Sequence, residues 1–219
     1  MVGSIKGFIL GISGLALLTS LSLRFQNPKF SEKENLENKT INYSINDSIK
    51  KQEEKIILKR KEFVENARKY LGKEYRWGGR LTKDNPGIDC LGLIFLAYSE
   101  TYEKKWTEIS GYPSEIIEKR QLGNPVNGLD GILTKEINFS KLEEGDVIHL
   151  LTTRTPVDKK DLPSKILDGI EYRTWHTGIY SDKKNNLFLQ AEPGNKVVES
   201  NFKDYLQKTS DGIFVTRIY

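Results

Sequence analysis

The sequence predicts an α+β fold in which helices come first and an antiparallel β-sheet follows. Three observations carry that reading. Apolar residues between positions 63 and 71 recur at helical spacing, residues 90–102 form one apolar helical run, and sustained period-two alternation begins only at about Asp146. Helices followed by strands, without a βαβ repeat, indicate α+β packing rather than a parallel, doubly wound sheet. No internal repeat is visible along the 219 residues.

The elements follow in order. Gly7 to Leu23 form an uncharged apolar run bounded by Lys6 and Arg24. Its length falls between a secretory core of about 7–15 residues and a transmembrane helix of about 20. Residues 1–24 are therefore expected to be a signal peptide or membrane anchor. No A-x-A pattern marks a cleavage site, and no Cys near the end of the run permits a lipid anchor. The protein is expected to be exported to the periplasmic or extracellular face of the envelope, touching membrane only through this segment. Residues 25–53 are rich in Lys, Glu, Asn and Ser, with isolated apolar residues and no period. Such a stretch buries too little apolar area to offset the entropy of ordering it, so a disordered tether is expected. A polar surface helix around Lys50–Glu54 is the alternative.

Residues 54–219 have the composition of one folded domain. Phe63, Ala67 and Tyr70, flanked by Val64 and Leu71, predict an amphipathic helix that stops at Gly72. After a Gly- and Pro-punctuated segment, CLGLIFLAYSETY reads as a centrally buried helix. Residues 104–142, broken by Gly111, Pro113, Gly123 and Pro125, read as a loop-rich insertion. Strands are expected at Asp146–Leu151, His176–Ser181, Leu187–Glu192, Lys196–Glu199 and Gly212–Tyr219.

Composition narrows the chemistry. Lys and Arg total 34 against 30 Asp and Glu, a net charge of +4 that is thoroughly mixed along the chain. That balance gives no case for a nucleic-acid partner. One Cys and two His exclude an intrachain disulfide and make a Cys/His zinc site hard to assemble. No phosphate loop, metal motif or paired-carboxylate signature stands out, and no cofactor is expected. Sulfur or imidazole chemistry must pass through Cys90, His149 or His176.

Asp89 and the preceding Pro86-Gly87 place Cys90 in the first turn of the buried helix. Unpaired backbone N–H groups and the helix dipole there are expected to stabilise a thiolate and to offer an oxyanion site. Position alone leaves Cys90 as nucleophile or core filler. His176 opens the strand HTGIY, sharing a face with Gly178 and Tyr180. Gly178 and Gly92 are expected to leave gaps through which helix and strand approach, bringing Cys90 to His176. His149, within GDVIHLL, reads as structural. A third residue should orient the imidazole. A hairpin centred on Lys183 sets Gln190 opposite His176, and a shift of one residue sets Glu192 there instead. Both face the same way, and both stay open. Tyr75 reads as core or as a hydrogen-bond donor in the cleft.

Together, ARKYLGKEYRWGGR, PGIDCLGLIFLAY, LEEGDVIHL, WHTGIY and LFLQAEPGNKVVES resemble the NlpC/P60 family of cell-wall cysteine peptidases over roughly residues 60–200. The resemblance implies a papain-like core with Cys90 as nucleophile, His176 as base and Gln190 as the orienting third residue. It sets Tyr75 near the cleft, and with Asp89 and Leu91 near the oxyanion region. Leu91 stands where the family usually carries the Ser of DCSG, and the segments 104–142 and 152–175 are longer than usual. They are expected to line or cover the cleft. The implied activity is that of a monomeric endopeptidase cutting D-γ-glutamyl bonds to diaminopimelate or lysine in peptidoglycan stem peptides. The residues alone reach a Cys–His hydrolase or acyltransferase on another amide or ester. A degenerate cell-wall-binding module is the non-enzymatic reading.

Overall fold

The computed structural model describes residues 28–219, with side chains from residue 47. The apolar run at residues 7–23 lies outside the described residues. Among those described, no helix is long and apolar enough to cross a membrane. The chain divides into two compact units, residues 1–48 and residues 49–219.

Helix α1 runs Pro28–Arg68, so the segment expected to be a disordered tether is helical from Pro28 onward. Two local features favour this outcome over the expected one. Proline suits the first helical position, where its missing N–H has no partner to lose. Further on, Lys50–Glu54 (KKQEE) is built from good helix formers, with Lys50 and Glu54 one turn apart. Among its described side chains, the buried apolar stripe lies in the last turns, at Phe63, Val64 and Ala67. The helix ends in a turn, and Gly72 adopts φ +81° there, at the expected stop.

Helix α2 spans Cys90–Tyr102, as the apolar run predicts, and is buried on nearly every side from Leu91 to Tyr98. Shorter helices follow at Pro113–Glu118 (α3) and Phe202–Thr209 (α4). The strands are β1 (Asn124–Leu133), β2 (Val147–Thr152), β3 (Lys165–Leu167), β4 (Ile170–Asp182), β5 (Leu187–Ala191), β6 (Val197–Asn201) and β7 (Gly212–Arg217). They form one seven-stranded sheet in the order β1-β7-β2-β4-β5-β6, with β3 paired to β4 off that path. The pairings are antiparallel, and the architecture is the expected α+β.

The sheet has a core on each face. Val147, Ile179, Leu189, Ala191 and Val197 pack against α1 and α2. Ile148, Leu150, Tyr180, Phe188, Ile213 and Val215 pack against Phe202 and Leu206 of α4 and against Val126 and Leu129 of β1. An ion-pair hub ties these layers together. Asp146, fully buried, accepts from Arg217 Nε at 2.7 Å and from Arg60 of α1 at 3.2 Å.

Three elements depart from expectation. The insertion 104–142 holds α3 and the edge strand β1, whose period is broken by register shifts between Pro125 and Asp130 and between Asp130 and Ile132. Bulges and an edge proline hide a strand from a period-two reading. Strand β4 begins at Ile170 rather than His176, because β3 pairs with its first residues. Helix α4 is short, and Asn201 caps it by accepting from Asp204 N.

Candidate active site

Cys90 is the first residue of α2, and Asp89 is its N-cap. One Asp89 carboxylate oxygen accepts from Gly92 N at 2.6 Å, the other from Gly78 N at 2.9 Å. Arg80 pairs with the same carboxylate, donates to the Gly79 carbonyl, and lies over the Phe95 ring. Both Asp89 oxygens thus bind the Gly78-Gly79 turn to the start of the helix. The close approach at Gly92 is to this turn: a Cβ there would stand 2.2 Å from the Gly79 carbonyl oxygen. The expected partner of Gly92, the His176 strand, is therefore corrected to the 78–80 turn.

His176 lies on β4 opposite Leu150 of β2. The β4–β5 ladder ends at Ile179↔Leu189, so His176 sits beyond the last pair, where the two strands part. Helix α2 packs on Ile179 and Leu189. Cys90 and His176 line one cavity of about 770 Å³. Backbone N–H groups of Leu91 and of Thr177, the residue after His176, lie where they favour the Cys90 thiolate.

The register is the shifted one, in which Tyr180 pairs with Phe188. By extension Gln190 faces Gly178, and Glu192 comes level with His176. Even so, the imidazole bonds to Gln190: His176 Nε2 and Gln190 Oε1 are 2.6 Å apart. The contact is diagonal. Gly178 has no side chain to fill the space between them, and a Cβ there would lie 2.4 Å from the Phe188 ring. Phe188, not α2, occupies the gap at Gly178. Glu192 is engaged in the following turn, where it accepts from Asn195 Nδ2 at 2.7 Å.

An amide oxygen can only accept, so the bond to Gln190 assigns the ring proton to Nε2 and leaves the lone pair on Nδ1. His176 Nδ1 is buried and has no hydrogen-bond partner among the described residues. Rings enclose the imidazole: Trp175 stacks at 5.1 Å, Phe188 meets it edge-on at 6.3 Å, and Tyr205 tilts over it at 6.1 Å.

Electrostatics overturn one expectation. Burial, then the Asp89 carboxylate, pushes the Cys90 thiol up to about 12, despite backbone N–H donors that favour the thiolate. Burial lowers His176 to about 4, and the Gln190 bond opposes it only in part. The resting pair is a neutral thiol beside a neutral imidazole, not the stabilised thiolate expected from helix position. Desolvation penalises both charged forms, and here it outweighs the helix terminus. Tyr75 is half-buried against the same core, and its hydroxyl is raised to about 12 by burial, then by Cys90 and Asp89.

Leu91 is buried and lines the cavity with Cys90. The two insertions supply much of the remaining wall: Tyr112 and Pro113 from one, Arg154 to Asp161 from the other. Arg154 pairs with Asp161 and donates to the Thr174 carbonyl, while Tyr112 donates to Asp158 at 2.7 Å. Trp77, 79% exposed, stands at the rim. Sequence reasoning missed Trp77, Trp175 and Tyr205. The aromatic before Gly78-Gly79 and the one before His176 were the available signals.

His149 lies on the other face, opposite Thr177, whose hydroxyl bonds its Nδ1 at 3.3 Å. Burial lowers it to about 3. A second cavity of about 770 Å³, between α1 and Tyr219, is lined by Lys55, Lys59, Thr101 and Tyr102 and by neither Cys90 nor a histidine.

No family model matches the chain, and no curated protein matches it. Among solved structures, a mutated form of the resuscitation promoting factor interacting protein RipA is similar at 20% identity and a TM-score of 0.44. The match covers 73% of this chain and 62% of that one, so the chain spans less than two thirds of that structure's length. The α+β architecture stands on this chain's own strands and helices.

Proposed function

We propose that the protein is an exported cysteine peptidase of the NlpC/P60 type that hydrolyses amide bonds in peptidoglycan stem peptides. One observation carries the reading. Gln190 holds His176 through Nε2 and leaves its buried Nδ1 unpartnered among the described residues, and His176 lines the same cavity as Cys90. A thiol with an oriented base, itself held by a third group, is what nucleophilic acyl transfer requires.

In the reaction, His176 Nδ1 takes the Cys90 proton as the sulfur adds to the scissile carbonyl. The carbonyl oxygen becomes an oxyanion beside the first-turn backbone N–H groups at Cys90 and Leu91, with the Tyr75 hydroxyl as a further donor. His176 returns its proton to the amine, the C–N bond breaks, and the acyl group remains on sulfur. A water, deprotonated by His176, then releases the carboxylic acid and restores the thiol. The neutral resting pair makes proton transfer part of the attack, so substrate must enter before the thiolate forms. The D-γ-glutamyl linkage to diaminopimelate or lysine is the bond of choice in this reading.

The test is incubation of purified peptidoglycan with wild-type protein and with Cys90→Ala, followed by mass spectrometry of released fragments. Stem-peptide fragments from the wild type alone are the expected result. Equal release by both forms removes Cys90 from the reaction. Intact wall that co-sediments with the protein points instead to a binding module.

A further inference from the structure

The Gln190 amide has two ends, and only one of them touches His176. Its Nε2 donates to the hydroxyl of Ser200 at 3.1 Å. Ser200 stands on β6 opposite Phe188, and so on the same sheet face as Gln190. Gln190 is fully buried, and turning its amide over would set an N–H against the imidazole N–H. From this side the Tyr205 ring also closes over His176, and its hydroxyl faces the same amide nitrogen.

On the reading that Cys90 and His176 form the reacting pair, we infer that Ser200 is a positioning residue: by bonding the far end of the Gln190 amide it anchors that buried side chain against His176 Nε2. The chain of contacts runs from β6 through β5 to β4. Ser200 sets the amide, the amide sets the ring proton on Nε2, and the lone pair on Nδ1 is left for the thiol. Ser200 itself does not touch substrate. Without its hydroxyl the buried amide keeps only one of the two bonds that hold its ends, the side chain is freer to turn, and the orientation that sets the ring proton on Nδ1 gains population. That tautomer has no lone pair where the Cys90 proton must go.

The experiment compares wild type, Ser200→Ala and Ser200→Thr by peptidoglycan turnover and by nitrogen NMR of the His176 ring. Ser200→Ala is expected to lower kcat about 3- to 10-fold with KM unchanged, the size of one lost hydrogen bond. Its ring nitrogens should shift from the pure Nε2–H tautomer of the wild type toward a mixture. Ser200→Thr, which keeps the hydroxyl, should restore both readouts. An unchanged kcat together with an unchanged tautomer in Ser200→Ala overturns the inference. Should the wild type release nothing from peptidoglycan, the peptidase reading falls. The nitrogen spectra then decide Ser200's role by themselves, a shift in Ser200→Ala supporting it and identical spectra refuting it.

Discussion

In the proposed reaction, two side chains that would each be ordinary alone act as a pair through a third. Gln190 bonds His176, whereas Glu192 is held by Asn195 in the turn. Gln190→Ala should therefore lower kcat by about 10- to 100-fold, and Glu192→Ala by less than about 2-fold, since only the first frees the imidazole to choose its tautomer. The neutral pair makes a separate prediction. With the thiol pushed up to about 12 and the imidazole down to about 4, neither group ionises near neutrality. Alkylation of Cys90 by iodoacetamide should climb steadily with pH to at least about pH 10, as for a thiol whose ionisation lies above that range. A plateau reached near neutral pH would instead reveal a thiolate–imidazolium pair. At this scale the sequence was informative about residue identity and silent about charge. Position pointed to Cys90 and His176 but left Gln190 and Glu192 both open, and the raised thiol comes from burial and from Asp89, which only the packed structure supplies.

At the scale of elements, two glycines fix how the site's supports meet. Gly178 admits the Phe188 ring, and a methyl at this position would stand 2.4 Å from it. Gly178→Ala should cost about 1–3 kcal/mol by overpacking, measured as a lower denaturant midpoint, and should displace the ring that flanks His176. The helix start and the strand pattern were legible because Asp89 caps α2 and because β2, β5 and β7 are short apolar runs buried almost throughout. Strand β1 was not, since its bulges and glycines break the period that announces a strand. The hairpin register escaped for a related reason. A register shift between Tyr180 and Asp182 moves the turn off the symmetric centre at Lys183. The diagonal His176–Gln190 contact then depends on an empty site at Gly178, which no count of opposite residues reveals.

Across the whole molecule, stability rests on the two sheet faces and on the Asp146 hub between them. Asp146 bonds Arg60 of α1, Arg217 of β7 and the Glu143 backbone. Asp146→Ala leaves two arginines without their buried counter-charge and should destabilise the fold by about 3–5 kcal/mol in denaturant titrations. The buried imidazoles add a pH dependence. His149 and His176 fall to about 3 and about 4, below the 6.5 of a free histidine. Below pH 6.5 the unfolded chain therefore takes up protons that the folded chain refuses. Their contribution is full above that value and is lost as pH falls toward 4 and then 3. His149→Gln, which can still meet Thr177, should show a smaller loss between about pH 7 and about pH 4.5 than the wild type.

The helix-first, sheet-second order was readable from the sequence over residues 54–219, because one sheet packed on both faces organises them. The helical stretch from Pro28 was not, since no buried stripe accompanies the described side chains before the last turns of α1.

The central claim, that Cys90 attacks an amide carbonyl with His176 as base, is tested most directly by catching the acyl group on sulfur. Protein mixed with a stem-peptide substrate is quenched in acid within the first turnover, and its intact mass is measured. The expected result is a mass increase equal to the acyl portion of the substrate, mapped to Cys90 and absent from Cys90→Ala. His176→Ala should accumulate none. Substrate cleavage that proceeds at the wild-type rate in Cys90→Ala, with no adduct on either protein, would contradict it.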